Sequence, residues 1–108
     1  MTTTMTASYV DTCRYHAEEL ERVVAGTATY DDAPVDIYDW LDAAIDIECR
    51  TGLHGDLRSV EITLATGGLW GRIDTAARSV LWGNTASWPI SDAVCEALLD
   101  TIDGIRNA

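Results

Sequence analysis

The chain has 108 residues, and its eighteen acidic side chains face only seven arginines and no lysine, which gives a formal net charge of −11. This imbalance excludes direct binding to nucleic-acid phosphates and favours a basic partner, a high-salt environment or mimicry of a polyanion. The length fits one domain, and no apolar run approaches the roughly 18 residues that a membrane-spanning helix needs.

The start of the chain is polar and has neither the basic nor the apolar region of a signal peptide. The three cysteines lie far apart, and an odd number without a close pair argues against a disulfide framework. We therefore expect a polar tail at residues 1–5, one globular domain at 6–108 and a location in the reducing cytoplasm.

Helices are predicted at 6–25 and 35–50, because apolar side chains recur there at spacings of three and four. Gly26 follows the first helix as a stop signal, and a polar connection at 27–34 separates the two helices. The predicted core-facing side chains are Val10, Cys13, Ala17, Leu20 and Val24 in the first helix and Ile37, Leu41, Ala44 and Ile45 in the second.

Residues 59–66 alternate between apolar and polar side chains, which predicts a half-buried strand. Further strands are predicted at 69–74 and 79–84 after short turns, and a last helix at 92–105 follows Ser91, an N-cap candidate. The predicted order is α-α-β-β-β-α. We therefore expect an α+β domain with a three-stranded antiparallel meander and helices packed on one face of the sheet.

The second predicted helix carries the most informative cluster of side chains. At 100° per residue, four of its aspartates fall within about a 120° sector opposite the apolar face, with no cation among them. Two more aspartates precede the helix, and a tryptophan lies at the edge of the sector. The residues predicted to bind a partner are Asp32, Asp36, Asp39, Trp40, Asp42 and Asp46.

Three interpretations of this acidic sector stay open. It is a solvated helix face, a divalent metal site, or a DNA-mimicking surface that docks on a basic groove with carboxylates in the place of phosphates. The metal interpretation is the weakest, because the ligand spacing and central glycine of an EF-hand are absent.

The sequence contains no recognisable catalytic motif. Glu48 lies in the apolar sector of the second predicted helix, where an ion pair with an arginine is expected and a catalytic acid is the alternative. The cysteine and histidine residues lack the spacing of a zinc site, and no serine lies in a nucleophile motif. We therefore expect a protein that is not an enzyme and uses neither a metal nor a cofactor.

A second candidate site lies on the predicted strands. If the helices cover the face that carries Val60 and Ile62, tryptophans remain on the open face, where exposed aromatic residues mark an interface. An arginine among them is suited to hold a carboxylate or a phosphate. The residues of this open-face site are Trp70, Arg72, Asp74 and Trp82. The alternative is that the tryptophans fill the core.

The C-terminal half combines a strand ending in a double glycine at 60–68, an I-D-T turn at 73–75, a W-G strand end at 81–83 and Pro89 before the last helix. With these motifs it resembles small uncharacterised acidic proteins encoded on phages and mobile elements of gut-type bacteria. Leu69-Trp70 departs from the proline-asparagine expected after the glycines. The resemblance implies a counter-defence role of the anti-restriction or anti-CRISPR type, and it implies no catalytic residues.

The leading hypothesis is a cytoplasmic inhibitor, in a host bacterium, that blocks the basic surface of a nucleic-acid-binding complex such as a CRISPR effector. It binds neither nucleic acid nor membrane directly. The alternatives are an ordinary acidic domain adapted to salt, a small-ligand module on the open sheet face, and a homodimer formed through an edge strand or the tryptophans.

Overall fold

The fold is that of a computed structural model, which describes residues 2–108, with side chains from residue 9 onward. Along this part of the chain, a long helix, a small hairpin and a short helix precede a sheet and a final helix. The elements are α1 (Thr2–Ala25), β1 (Thr29–Tyr30), β2 (Ala33–Pro34), α2 (Ile37–Asp42), β3 (Asp46–Thr51), β4 (Leu57–Ala65), β5 (Gly71–Asp74), β6 (Ser79–Trp82), β7 (Ala86–Pro89) and α3 (Asp92–Arg106).

Helix α1 buries Cys13, Ala17 and Leu20 of the predicted apolar stripe, whereas Val10 and Val24 are only half-buried and Val23 is the buried residue of the last turn. Gly26 ends the helix at a φ of +77°, a conformation that glycine adopts without steric cost. The helix begins at Thr2, so the polar tail predicted for residues 1–5 is helical from residue 2 onward.

The second predicted helix is wrong beyond residue 42. Helix α2 has only six residues, and residues 46–51 form strand β3. The apolar spacing of this stretch fits a helix, but Ile47 also alternates with polar neighbours, and its β-branched side chain favours a strand. Antiparallel pairing with β4, where Arg50 lies opposite Ser59, decides between the two conformations.

Strands β3 to β7 form one antiparallel meander in chain order. The predicted three-stranded sheet is therefore wrong, because β3 and β7 add an edge strand on either side. Strand β7 resembles a connection in the sequence because it ends in Pro89. Proline is tolerated there because an edge strand leaves one row of backbone amides unpaired.

The sheet has one apolar and one polar face. Val60, Ile62, Ile73 and Val80 are fully buried on the apolar face, which α1 and α3 cover. Ser91 caps α3 as predicted, since its hydroxyl accepts a hydrogen bond from the Val94 amide at 3.2 Å. These layers confirm the predicted α+β class.

No helix within residues 2–108 is both long enough and apolar enough to cross a membrane.

Candidate functional site

The hairpin of β1 and β2 places two carboxylates at its tip. Tyr30 pairs with Ala33, so Asp31 and Asp32 are the two turn residues, and their φ angles are +50° and +64°. A two-residue turn with positive φ at both positions matches the twist of the strands, and aspartate tolerates this conformation better than most residues. Both aspartates are exposed to solvent.

Asp36 and Asp39 cap the N-terminus of α2. Oδ1 of Asp36 accepts a hydrogen bond from the Asp39 amide at 2.9 Å, and Oδ2 of Asp39 accepts one from the Asp36 amide at 3.3 Å. This capping box satisfies two amides and places negative charge at the positive end of the helix. Both aspartates are exposed, and their capping keeps Trp40 and Leu41 in the core.

The other two predicted aspartates do not continue one helix face. Asp42 is the last residue of α2, and Asp46 begins β3, where it lies opposite Thr63. The prediction of a single acidic sector on one helix is therefore wrong, because the helix ends before Asp46. We call residues 31–46 the acidic segment. Its exposed aspartates are Asp31, Asp32, Asp36, Asp39, Asp42 and Asp46.

Within residues 9–108, no cation forms an ion pair with an aspartate of the acidic segment. The sequence contains no arginine, lysine or histidine between residues 22 and 50. Among the described side chains, six of the seven arginines form ion pairs, and every acidic partner lies outside the segment. Only Arg22 forms no ion pair within the described residues. The negative charge of this segment is therefore uncompensated.

A groove of about 500 Å³ lies between α1, the hairpin and α2, and we call it the α1–α2 groove. Trp40, predicted to anchor a partner, is instead buried at its base as part of the core, and its indole Nε1 donates a hydrogen bond to Oε1 of Glu19 at 3.2 Å. The lining includes Tyr15, Glu19, Arg22, Tyr30, Asp39 and Trp40.

Two tyrosines at this groove are far more exposed than Trp40. Tyr30 is 74% exposed and Tyr15 is 58% exposed. Neither is among the site residues predicted from the sequence. Tyr30 directly precedes the Asp31-Asp32 turn, and no local pattern predicts that turn, because its strands have only two residues each. For Tyr15 a signal existed, because it lies off the apolar stripe of α1 that runs through Cys13 and Ala17.

The polar face of the sheet carries a second cluster of charges, built around the buried Glu61. Nη2 of Arg50 lies 2.6 Å from Oε2 of Glu61, and Nε of Arg72 lies 3.3 Å from Oε1. Each oxygen of Glu61 therefore has a guanidinium partner. The predicted ion pair of Glu48 with an arginine is present, with 3.9 Å between Oε1 of Glu48 and Nε of Arg50. Both residues lie on β3 rather than on a helix.

Asp74 belongs to the same cluster. Its Oδ1 lies 3.0 Å from Nη1 of Arg50 and accepts a hydrogen bond from the Ala76 amide at 2.9 Å. Partial burial opposes the charged form of Asp74, but the hydrogen bonds from Arg50 and from the Ala76 and Ala77 amides outweigh it. The pKa of Asp74 therefore lies below its ordinary value.

Three of the four residues predicted for the open-face site lie on this polar face. The guanidinium of Arg72 stacks 4.2 Å above the ring of Trp70, and its Nη1 donates to the carbonyls of Trp70 and Gly83. Trp82 is an exception: its ring lies on the helix-covered face and stacks on His16, with 5.5 Å between centroids. The reason is strand alternation, which places Trp82 on the same face as the buried Val80. Gly71 lies opposite Trp82, and its missing side chain leaves room for the indole.

A small cavity of about 280 Å³ adjoins Arg72 on the polar face. Because Arg72 already contacts a carboxylate, two carbonyls and an indole ring, its hydrogen-bonding capacity is largely directed into the protein. The cluster therefore joins neighbouring strands. Within the described residues, no group of three or more histidine, cysteine, aspartate or glutamate side chains is placed to hold a metal ion.

Comparison of the chain with protein-family models, with curated proteins and with solved structures returns no match. The resemblance of the C-terminal half to phage and mobile-element proteins therefore stays a prediction. Function has to be inferred from the two charged regions, of which the polar sheet face is internally neutralised and the acidic segment is not.

Proposed function

We propose that this chain is a non-enzymatic binding protein whose acidic segment docks on a basic protein surface. One observation supports this most strongly: six exposed aspartates lie without a cation, although the chain uses its arginines to neutralise acids elsewhere. Clustered like charges destabilise a folded chain, and a partner that supplies cations removes this repulsion.

The class of partner follows from the chemistry of the segment. Carboxylates spread over a hairpin tip, a short helix and a strand start present negative charge in the way that phosphates do. A surface that binds nucleic acid is rich in arginine and lysine and is complementary to such a display. We propose that the chain inhibits a nucleic-acid-binding complex, and the resemblance to mobile-element proteins makes a CRISPR effector or a restriction enzyme the first class to test.

The distribution of charge favours this proposal over adaptation to salt. Within the described residues, exposed acids without an ion pair also lie outside the segment, at Asp11, Glu96 and Asp100, but six exposed aspartates are concentrated within residues 31–46. An acidic surface that serves only solubility does not need such a concentration. Residues 23–49 contain seven acidic residues and no basic one, whereas the arginines lie at positions 14 and 22 and from 50 onward. The third hypothesis, a small-ligand site on the open sheet face, is weakened because Arg72 is already engaged by Glu61.

A charge-matched pair of variants tests the proposal. In the first variant, Asp31, Asp32 and Asp42 are replaced by asparagine, which leaves the capping box of α2 intact. In the control, the exposed acids Asp11, Glu96 and Asp100 are replaced by their amides. Both variants lose the same charge and keep the fold, and each is immobilised to capture proteins from a nuclease-treated bacterial lysate at low salt.

We expect the wild type and the control to retain nucleic-acid-binding proteins, which duplex DNA and added salt both displace. The variant in the acidic segment should retain much less of them. Equal capture by the two variants, or capture that DNA does not compete, would contradict the proposal.

A further inference from the structure

The α1–α2 groove combines an apolar base with a charged and aromatic rim. Val23, Ala28 and Trp40 are buried, whereas the rings of Tyr15 and Tyr30 are exposed at its edge. A volume of about 500 Å³ is large enough for one or two extended side chains of a partner. The base suits an aliphatic stem, and the tyrosine rings suit a flat or cationic group above it.

The lining of the groove has more carboxylates than cations, which favours a positively charged side chain as its occupant. Glu19 and Asp39 supply two carboxylates, against which Arg22 is the single cation among the lining residues. Oε1 of Glu19 accepts a hydrogen bond from Trp40, and within the described residues its second oxygen has no hydrogen-bond partner. The hairpin tip and α2 add the aspartates of the acidic segment beside the groove. An acidic or a purely aliphatic side chain is therefore a poor occupant.

We infer that the α1–α2 groove receives an arginine side chain that projects from the basic surface of the partner. The methylene stem of arginine packs on the apolar base, and its planar guanidinium stacks on tyrosine while it bonds to carboxylates. This inference rests on the proposed function and assigns it a specific pocket: the acidic segment attracts the partner, and the groove holds one of its arginines.

The residues of the groove make distinct contributions under this inference. Tyr30 supplies a stacking face, Glu19 supplies a carboxylate oxygen, and Arg22 opposes an incoming cation. Substitution of Tyr30 or Glu19 should therefore weaken binding, and substitution of Arg22 should strengthen it. A role of these residues in folding alone does not produce opposite signs for two neighbours in one groove.

Nuclear magnetic resonance titration with two short peptides tests the inference. The probe is acetyl-Gly-Arg-Leu-Arg-Gly-amide, and its counterpart carries lysine in place of arginine. The indole N–H signal of Trp40 reports on the groove, because this group is hydrogen bonded to Glu19 at the base. The expected result is a shift of this signal on addition of the arginine peptide, with a smaller affinity for the lysine peptide.

The variants are Y30A, with Y38A as its control, and R22Q. Tyr38 is 56% exposed on α2 but does not line the groove. We expect Y30A to bind the arginine peptide about tenfold more weakly, Y38A to stay within about twofold of the wild type, and R22Q to bind severalfold more tightly. Thermal melting of each variant checks that the fold is retained.

Equal affinities of Y30A and Y38A, or peptide-induced shifts confined to the sheet, would overturn the inference. Its failure is distinguishable from failure of the proposed function. If Y30A captures the basic partner as well as the wild type does while the Asp31, Asp32 and Asp42 variant loses it, the groove is wrong and the acidic segment remains the docking surface.

Discussion

The polar face of the sheet and the acidic segment both carry carboxylates, but only those of the polar face are paired with arginines. On the sheet, Glu61 and Asp74 share Arg50 and Arg72, with ion pairs of 2.6 to 3.3 Å. In the acidic segment, the hydrogen bonds described for the aspartate side chains are those of the α2 capping box. The carboxylates Glu61 and Asp74 are neutralised by arginines of the sheet, whereas the aspartates of the acidic segment are exposed to solvent.

The difference shows that net charge alone says little about how an acidic protein is built. Arg50 and Arg72 lie where three neighbouring strands bring carboxylates together, so they join the sheet as well as neutralise it. The hairpin and α2 are short and carry no arginine. Apart from Asp36 and Asp39, which cap α2, the aspartates of this segment form no side-chain hydrogen bond or ion pair among the described residues, which supports the proposed role of their charge in binding.

The largest effect is expected from a change on the opposite, helix-covered face of the same sheet. In G71A, the added methyl group overlaps the ring of Trp82, which is itself held against His16. We expect a loss of about 2–3 kcal/mol in the free energy of unfolding, measured by chemical denaturation. In the control G68A nothing lies within 4 Å of the added group, so a comparable loss there would contradict the packing account.

Removal of the shared cation tests the neutralised cluster. In R50Q, Glu61 keeps Arg72, but Asp74 loses its guanidinium and the buried cluster becomes net negative. We expect a destabilisation of about 1–2 kcal/mol. R58Q removes an exposed pair with Asp56 and should cost less than about 0.5 kcal/mol. Equal effects of the two substitutions would mean that the cluster does not stabilise the sheet.

Within the acidic segment, the aspartates that cap α2 should differ from those that do not. D36A removes one half of the capping box and should cost about 1 kcal/mol. D42A removes a carboxylate at the negative end of the helix dipole and should be neutral or slightly stabilising. Urea unfolding of the two variants measures the difference, and equal losses would contradict a structural role specific to Asp36.

The smallest predicted effect is the dependence of the free energy of unfolding on pH. Burial lowers the pKa of His16 below its ordinary value, and the neighbouring Glu19 only partly offsets this. Protonation of His16 is therefore more favourable in the unfolded chain than in the folded one. The contribution of neutral His16 to the free energy of unfolding is complete above about pH 6.5 and decreases as the pH falls below that value. The lowered pKa of Asp74 adds a loss confined to pH values below about 4.

H16F keeps an aromatic ring against Trp82 and removes the titrating group. The free energy of unfolding of this variant, measured between about pH 7.5 and 5, should depend less on pH than that of the wild type. H54Q, at an exposed position, serves as the control and should retain the wild-type slope. A wild-type slope in H16F would mean that another group titrates.

Periodicity predicts α1, α3 and strands β4 to β6, and local signals mark some of their ends: Gly26 after α1, Gly83 after β6 and Ser91 before α3. The boundary between α2 and β3 was not predictable, since residues 35–50 fit a helix and the competing strand is stabilised only by pairing with β4. The face of Trp82 was predictable, because alternation along β6 places it on the same side as Val80. The space that Gly71 leaves for its ring depends on the register, which has no local signature. The hairpin turn at Asp31-Asp32 was missed because two-residue strands carry almost no pattern.

The central claim is that the aspartates of the acidic segment that do not cap α2 do not serve folding. The most direct measurement compares, at low salt, the free energies of unfolding of two triple variants: Asp31, Asp32 and Asp42 to asparagine, and Asp56, Asp92 and Asp103 to asparagine. The second set removes acids that each pair with an arginine. The account predicts a gain of about 0.5–1 kcal/mol for the first, shrinking in roughly molar salt, and a loss for the second. Destabilisation of the first variant, or equal changes in both, would contradict the account.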